Sequence, residues 1–314
     1  MLYREKVIYL FIIIISMQAE ANNITMERLR SYSSVFSRKV FSDIIDYDDY
    51  SHVDWLYSTY DDALSYNTYM DYFKALYSVI SKSYKCEYVY KNEIINQLLL
   101  KKYGTKKTVA FNELRIGNSI VDFAIINGES KAFEVKTEFD SPRRLKKQMD
   151  DYKRIFNKCY IVIPSGKAVF YEKMVEPETG IIELIYTRGR LALKEYRPAT
   201  AQKKIDTDIL MKCLRTVEYK NIVNSYFKAL PQVPAYRMFD ACAELVKNVP
   251  VDVLNGLFLG ELKKRKNVTS DLAGIPKEIR QMCLCMNLSE KKRDLLINRL
   301  NEPLKHRSLC ISRI

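Results

Sequence analysis

The chain has 314 residues, 47% of them hydrophobic and 28% charged, which suits one large domain or a core with helical additions and excludes intrinsic disorder as the default. The formal net charge of +13 favours a polyanionic partner, because each neutralised phosphate releases counterions. With only two histidines, His52 and His306, a metal site has to be built from carboxylates, and that points to a hard cation such as Mg²⁺ or Mn²⁺.

In chain order, residues 1–25 stand apart. The run VIYLFIIIISM at 7–17 follows Arg4 and Lys6 and precedes Ala19-Glu20-Ala21. It has the layout of a secretory signal peptide cleaved after Ala21 and is too short for a stable membrane span. The competing reading places the true start at Met17 or Met26. The seven cysteines are odd in number and form no C-x-x-C pair, so they read as reduced thiols packed as small hydrophobes. A cytoplasmic protein is the expectation, with export as the alternative if the leader is real.

Residues 26–85 hold ten tyrosines and neither Gly nor Pro, and carry seven Lys/Arg against nine Asp/Glu. Tyr66, Tyr69, Phe73, Leu76 and Ile80 recur at helical spacing, which predicts an amphipathic helix whose aromatic face packs rather than stacks on bases. Residues 86–200 form the expected core. KNEIINQLLLKKYG (91–104) predicts a helix stopped at Gly104. VAFNELRI (109–116), IVDFAII (120–126) and KAFEVKT (131–137) predict three strands, joined by turns at Gly117-Asn118 and Asn127-Gly128. Ser141-Pro142 opens a helix running to about Phe156, and CYIVIP (159–164) is a short buried strand. Strands are expected at 181–187 and 191–196. Residues 201–314, with twenty-one Lys/Arg against twelve Asp/Glu, read as a basic helical region with helices at 205–230, 251–266 and 289–300. The fold class is therefore α/β: helix, three-stranded meander, helix, strand, with helical N- and C-terminal additions.

The chemistry sits on the second hairpin. Residues two apart on a strand share a face, so Glu134 and Lys136 project together. Asp122 interrupts an otherwise apolar strand across the turn, where an unpaired carboxylate is costly. Asp122 and Glu134 would make two oxygen ligands for one cation, with the alternative of a plain Glu134–Lys136 salt bridge. Glu113 on the first strand is free to pair with Arg115 on its own face. Gln148 and Tyr152, four apart, share a helix face. Ser165-Gly166-Lys167 is no phosphate-binding loop, since Ala168 replaces the required Ser/Thr.

VDFAIINGESKAFEVK, with the Q-x-x-x-Y of Gln148 and Tyr152 behind it, resembles the PD-(D/E)xK nuclease superfamily, and in particular an uncharacterised bacterial family of predicted nucleases with a RecB-like Q-x-x-x-Y element. Val121 stands where the signature often has Pro. The resemblance covers residues 70–200 and implies a restriction-endonuclease-like core. It also implies a Mg²⁺- or Mn²⁺-dependent deoxyribonuclease, active in phage defence or a mobile element. Asp122, Glu134, Lys136, Gln148 and Tyr152 would be catalytic. Asp122 and Glu134 would hold the metal with the Val135 carbonyl, and Glu93, or in its place Glu113, would be the further acid. Lys136 would assist the water, and Arg144, at a helix start, would hold a substrate phosphate. Nucleic acid, DNA first, is the expected partner, without a small-molecule cofactor. The alternative is a nucleic-acid-binding or regulatory protein that keeps the fold without cleaving.

Overall fold

The computed structural model describes residues 24–265 and 267–305. The signal-like stretch, His306 and Cys310 lie outside them. The chain divides into two compact units, one from residues up to Val89 together with those from Ser289 onward, the other Tyr90–Leu288.

The first unit is helical: Met26–Ser34, Arg38–Tyr47, Ser51–Tyr60, Tyr69–Ser83 and Glu290–Leu300. Its helix starts follow from side-chain caps. Thr25, Ser37 and Thr68 each accept a hydrogen bond from the backbone N–H three residues on, satisfying donors the helix leaves open. Tyr69, Phe73, Leu76 and Ile80 pack as their spacing predicts, while Tyr66 precedes the helix. Tyr32, Tyr57, Tyr69 and Tyr72 are buried. Their hydroxyls need partners: Tyr32 and Tyr72 both donate to Asp61, at 2.8 and 2.6 Å, and Arg28 neutralises that buried carboxylate at 2.8 Å.

The second unit is built on one six-stranded sheet with strands in sequence order: β1 (Val109–Ile116), β2 (Ser119–Ile126), β3 (Ser130–Val135), β4 (Lys158–Pro164), β5 (Gly180–Thr187) and β6 (Arg190–Arg197). β1, β2 and β3 are antiparallel neighbours, β3, β4 and β5 run parallel, and β6 returns antiparallel. The predicted order of helix, three strands, helix, strand stands. The opening helix is α-helical over Glu87–Glu93 and continues as π-helix over Ile94–Tyr103 before stopping at Gly104, φ 72°. The crossover from β3 to β4 is a 3₁₀ turn, Pro142–Arg144, leading into the helix Leu145–Lys153. Ser141 caps it by accepting from the Arg143 N–H.

That helix lays Leu145, Met149 and Tyr152 into one hydrophobic cluster with Ala124, Ile126, Ala132, Ile161 and Ile163 of the sheet. This is the apolar stripe its spacing dictates. The stretch expected as one helix over 205–230 is two, Thr207–Cys213 and Thr216–Phe227. Leu214 is extended between them, and the Glu218 side chain accepts from the Arg215 N–H to start the second. Helices Ala168–Glu172, Met238–Val246, Val251–Lys264 and Arg280–Cys285 also belong to this unit. Among the described residues all six cysteines are free, and no helix is long and apolar enough to cross a membrane.

Candidate active site

Phe123 pairs with Phe133 and Ala124 with Ala132, so the register of the hairpin brings Asp122 opposite Glu134 at its open end. The Asp122 carboxylate is fixed there by the main chain of the neighbouring strand: its Oδ2 accepts from the Val135 N–H at 2.8 Å. Val135 thus meets Asp122 through its amide N–H. Lys136 lies one residue past β3, and its own N–H continues the pairing to Val162 O at 2.9 Å.

Glu134 and Lys136 do project together. Lys136 Nζ donates to Glu134 Oε1 at 2.7 Å, with both side chains almost fully buried. The two Q-x-x-x-Y residues reach the same pair. Gln148 Oε1 accepts from Lys136 Nζ at 3.1 Å, and the Tyr152 hydroxyl stands 2.7 Å from Glu134 Oε2 and 2.6 Å from Ile120 O. Burial first, and then the Glu134 charge, push the Tyr152 hydroxyl well above the usual tyrosine range, so it serves as a donor. Glu134, Lys136, Gln148 and Tyr152 are thereby gathered into one side-chain network, and Asp122 stands beside it, bonded to the main chain of Val135.

Other predicted members are elsewhere. Glu93 is buried against its own helix, accepting from Gln97 Nε2 and Asn96 Nδ2, with the Arg280 charge nearby. It does not join Asp122 and Glu134: among the described residues, no three His, Cys, Asp or Glu side chains are grouped to hold one ion. Two residues earlier on the helix, Lys91 does reach the site, 3.7 Å from Asp122 Oδ1 and 3.8 Å from Glu113 Oε1. Glu113 approaches Lys91 from the first strand. It sits at φ 57°, the left-handed region that L residues rarely adopt, and the β1–β2 ladder passes from Asn112↔Phe123 to Leu114↔Val121 without the intervening pair. Val121 and Ala124, three apart on β2, enter the same core. Arg144 is exposed at the end of the 3₁₀ turn and takes no part in the network. The loop 165–168 is occupied by protein. Glu183 Oε1 accepts from the N–H groups of Gly166 and Ala168 at 2.8 and 3.2 Å, which agrees with its exclusion as a phosphate loop.

Lys91 and the bent Glu113 are what the sequence reading missed. Lys91 lies in a helix of ordinary composition, and nothing in its spacing marks a lysine that is 3% exposed. The donor set suits a hard cation in kind, with two carboxylates at facing positions. All four of their oxygens nevertheless have partners within the protein, two of them lysines.

The family model of bacteriophage P4 protein cII matches residues 81–284, which contain the whole sheet and the network. The chain belongs to the P4 cII family. A curated relative, protein cII of Enterobacteria phage P4, is 28% identical over 130 residues, 41% of this chain. The match spans 49% of that relative's length. A solved structure, a protein of unknown function from Silicibacter pomeroyi, aligns at a TM-score of 0.26 and 12% identity over 41% of this chain and 87% of its own, a likeness too slight to speak for the fold. The cII family match reaches beyond the sheet into the helices up to residue 284, so those helices belong to the family's common body.

Proposed function

We propose that this member of the cII family is a Mg²⁺- or Mn²⁺-dependent nuclease of the PD-(D/E)xK type, with a restriction-endonuclease-like core, hydrolysing phosphodiester bonds in DNA. The observation that carries the reading is the convergence of Glu134, Lys136, Gln148 and Tyr152 through side-chain contacts of 2.7 to 3.1 Å, with Asp122 facing Glu134 across the hairpin and bonded to the Val135 N–H. A bound divalent ion supplies polarisation of the phosphoryl oxygen and a lowered pKa for the attacking water. Asp122 and Glu134 supply the negative charge to hold it. Lys136 spends two of its three N–H donors on Glu134 and Gln148, leaving one for the water or for the charge that grows on the phosphoryl group. Tyr152 locks the second oxygen of Glu134, and so orients the first. Arg144, exposed at the entry to the same helix, holds a phosphate of the substrate strand. The reading extends to a cytoplasmic activity in phage defence or a mobile element, for which the free thiols of the described residues are suited.

The test is digestion of linear, circular and single-stranded DNA with Mg²⁺, with and without chelator. Chelation and Asp122→Ala abolish cleavage, and Lys136→Ala lowers it by about 10²-fold or more, the loss typical of a group that stabilises developing charge. Unchanged cleavage in pure Lys136→Ala protein would sink the assignment.

A second reading has its own observation. Both acidic groups already carry a lysine, so the network is charge-compensated without an ion. A basic, non-cleaving nucleic-acid-binding protein with the same fold has that property. It shows DNA binding that weakens steeply with salt and no metal-dependent hydrolysis.

A further inference from the structure

We infer that Lys91 is the resident cation of this site: it holds Asp122 and Glu113 in place in the ion-free protein and competes with a divalent cation for Asp122. The inference rests on the reading that Asp122 and Glu134 hold an ion. Lys91 is 3% exposed, yet its ammonium is within 3.7 Å of Asp122 and 3.8 Å of Glu113. A buried ammonium persists only where carboxylates compensate it, and here the two come from adjacent strands. The β1–β2 register sets Glu113 opposite Asp122, and the β2–β3 register sets Asp122 opposite Glu134. Three acidic residues therefore form a row across the sheet, with one lysine serving the first two and another, Lys136, serving the third.

The backbone of Glu113 supports this assignment. Its left-handed conformation is unfavourable for a glutamate, and it coincides with the gap in the ladder opposite Asp122. That bend accompanies the turn of the Glu113 carboxylate towards Lys91. A small hard cation takes oxygen ligands at about 2.1 Å, so an ion on Asp122 Oδ1 competes with the Lys91 ammonium for that oxygen. Lys91 then withdraws from Asp122 whenever an ion is bound, and the protein binds the ion more weakly than its carboxylates alone would.

The experiment is calorimetric titration of the purified full chain with Mn²⁺, without nucleic acid. Lys91→Met, which keeps the length and removes the charge, binds Mn²⁺ at least about tenfold more tightly than the parent. Unchanged or weaker binding overturns the inference. Because Lys91→Met leaves two carboxylates uncompensated, its fold is checked by circular dichroism. A second comparison, Lys91→Met/Glu113→Gln against Glu113→Gln, removes one charge of each sign overall and stays closer to balance. It too gains Mn²⁺ affinity, and no gain there overturns the inference independently. Asp122→Ala separates the two readings. Should Asp122→Ala and the parent bind Mn²⁺ equally, the ion-site reading fails and the inference with it. Should Asp122→Ala lose binding while Lys91→Met gains none, only the inference fails.

Discussion

Each polar side chain in the network is held by a neighbour chosen by geometry. The Tyr152 hydroxyl is the clearest case, because it reaches both Glu134 Oε2 and the Ile120 carbonyl from a buried position. Tyr152→Phe keeps the ring packing and leaves a buried carboxylate oxygen without its donor. Removing one partner of a buried hydrogen bond costs about 1 to 3 kcal/mol, and this variant should lose that much on urea unfolding. An unchanged unfolding midpoint would show that Glu134 Oε2 has another donor. The pair Gln148 and Tyr152 was legible in the sequence because a four-residue step on a helix is a fixed geometry. Lys91 was not legible. Its burial depends on where the helix lands on the sheet, and that is a tertiary fact.

At the scale of elements, the hairpins were readable and the faults in them were not. Gly117-Asn118 and Asn127-Gly128 turn where expected, with Gly117 and Gly128 at φ 57° and 107°. The gap in the β1–β2 ladder coincides with the left-handed backbone of Glu113, which no local preference of glutamate predicts. β5 begins at a similarly demanding place. A Cβ added to Gly180 would stand 2.3 Å from the Tyr160 ring and 2.8 Å from the Ala199 nitrogen. Tyr160 is itself stacked on Phe133 at 5.2 Å, so it has little freedom to retreat. Gly180→Ala should therefore destabilise the chain by about 1 to 3 kcal/mol, the usual range for overpacking, seen as a lower thermal midpoint. A melt identical to that of the parent would mean that the ring moves freely. The predicted long helix at 205–230 failed for a comparable reason. Glu218 caps a fresh helix at Arg215, which hydrophobic periodicity does not register.

At the scale of the molecule, charge is used both inside and outside the fold. Inside, Glu218 and Arg265 pair at 2.6 Å, each about 9% exposed, and Arg265 also donates to the Cys213 carbonyl. Burial alone would raise the Glu218 carboxyl, but hydrogen bonds from Arg265 and the Arg215 N–H outweigh it and hold the group below the ordinary glutamate value. A carboxyl depressed in the folded state contributes stability that is present above its unfolded value and lost as pH falls through the folded one. Urea stability should thus decline on acidification below about pH 4.5. Arg265→Met should cost about 3 to 5 kcal/mol at neutral pH, the price of stranding a buried charge, and should flatten that decline. An equally steep acid dependence in Arg265→Met would assign it to other carboxyls. Outside, the excess of +13 gives the chain the long-range attraction a polyanion requires.

By itself the sequence determined the order of elements, the hairpin that carries Asp122, Glu134 and Lys136, and the helix face shared by Gln148 and Tyr152. Those features rest on periodicity and turn chemistry, which act over a few residues. Only the tertiary structure decided that Lys91 instead of Glu93 faces Asp122, that Glu113 bends towards that lysine, and that every oxygen of the two central carboxylates has a partner. Those outcomes depend on how a helix is placed over a sheet and on the cost of burying charge without compensation, and neither quantity is local in the chain.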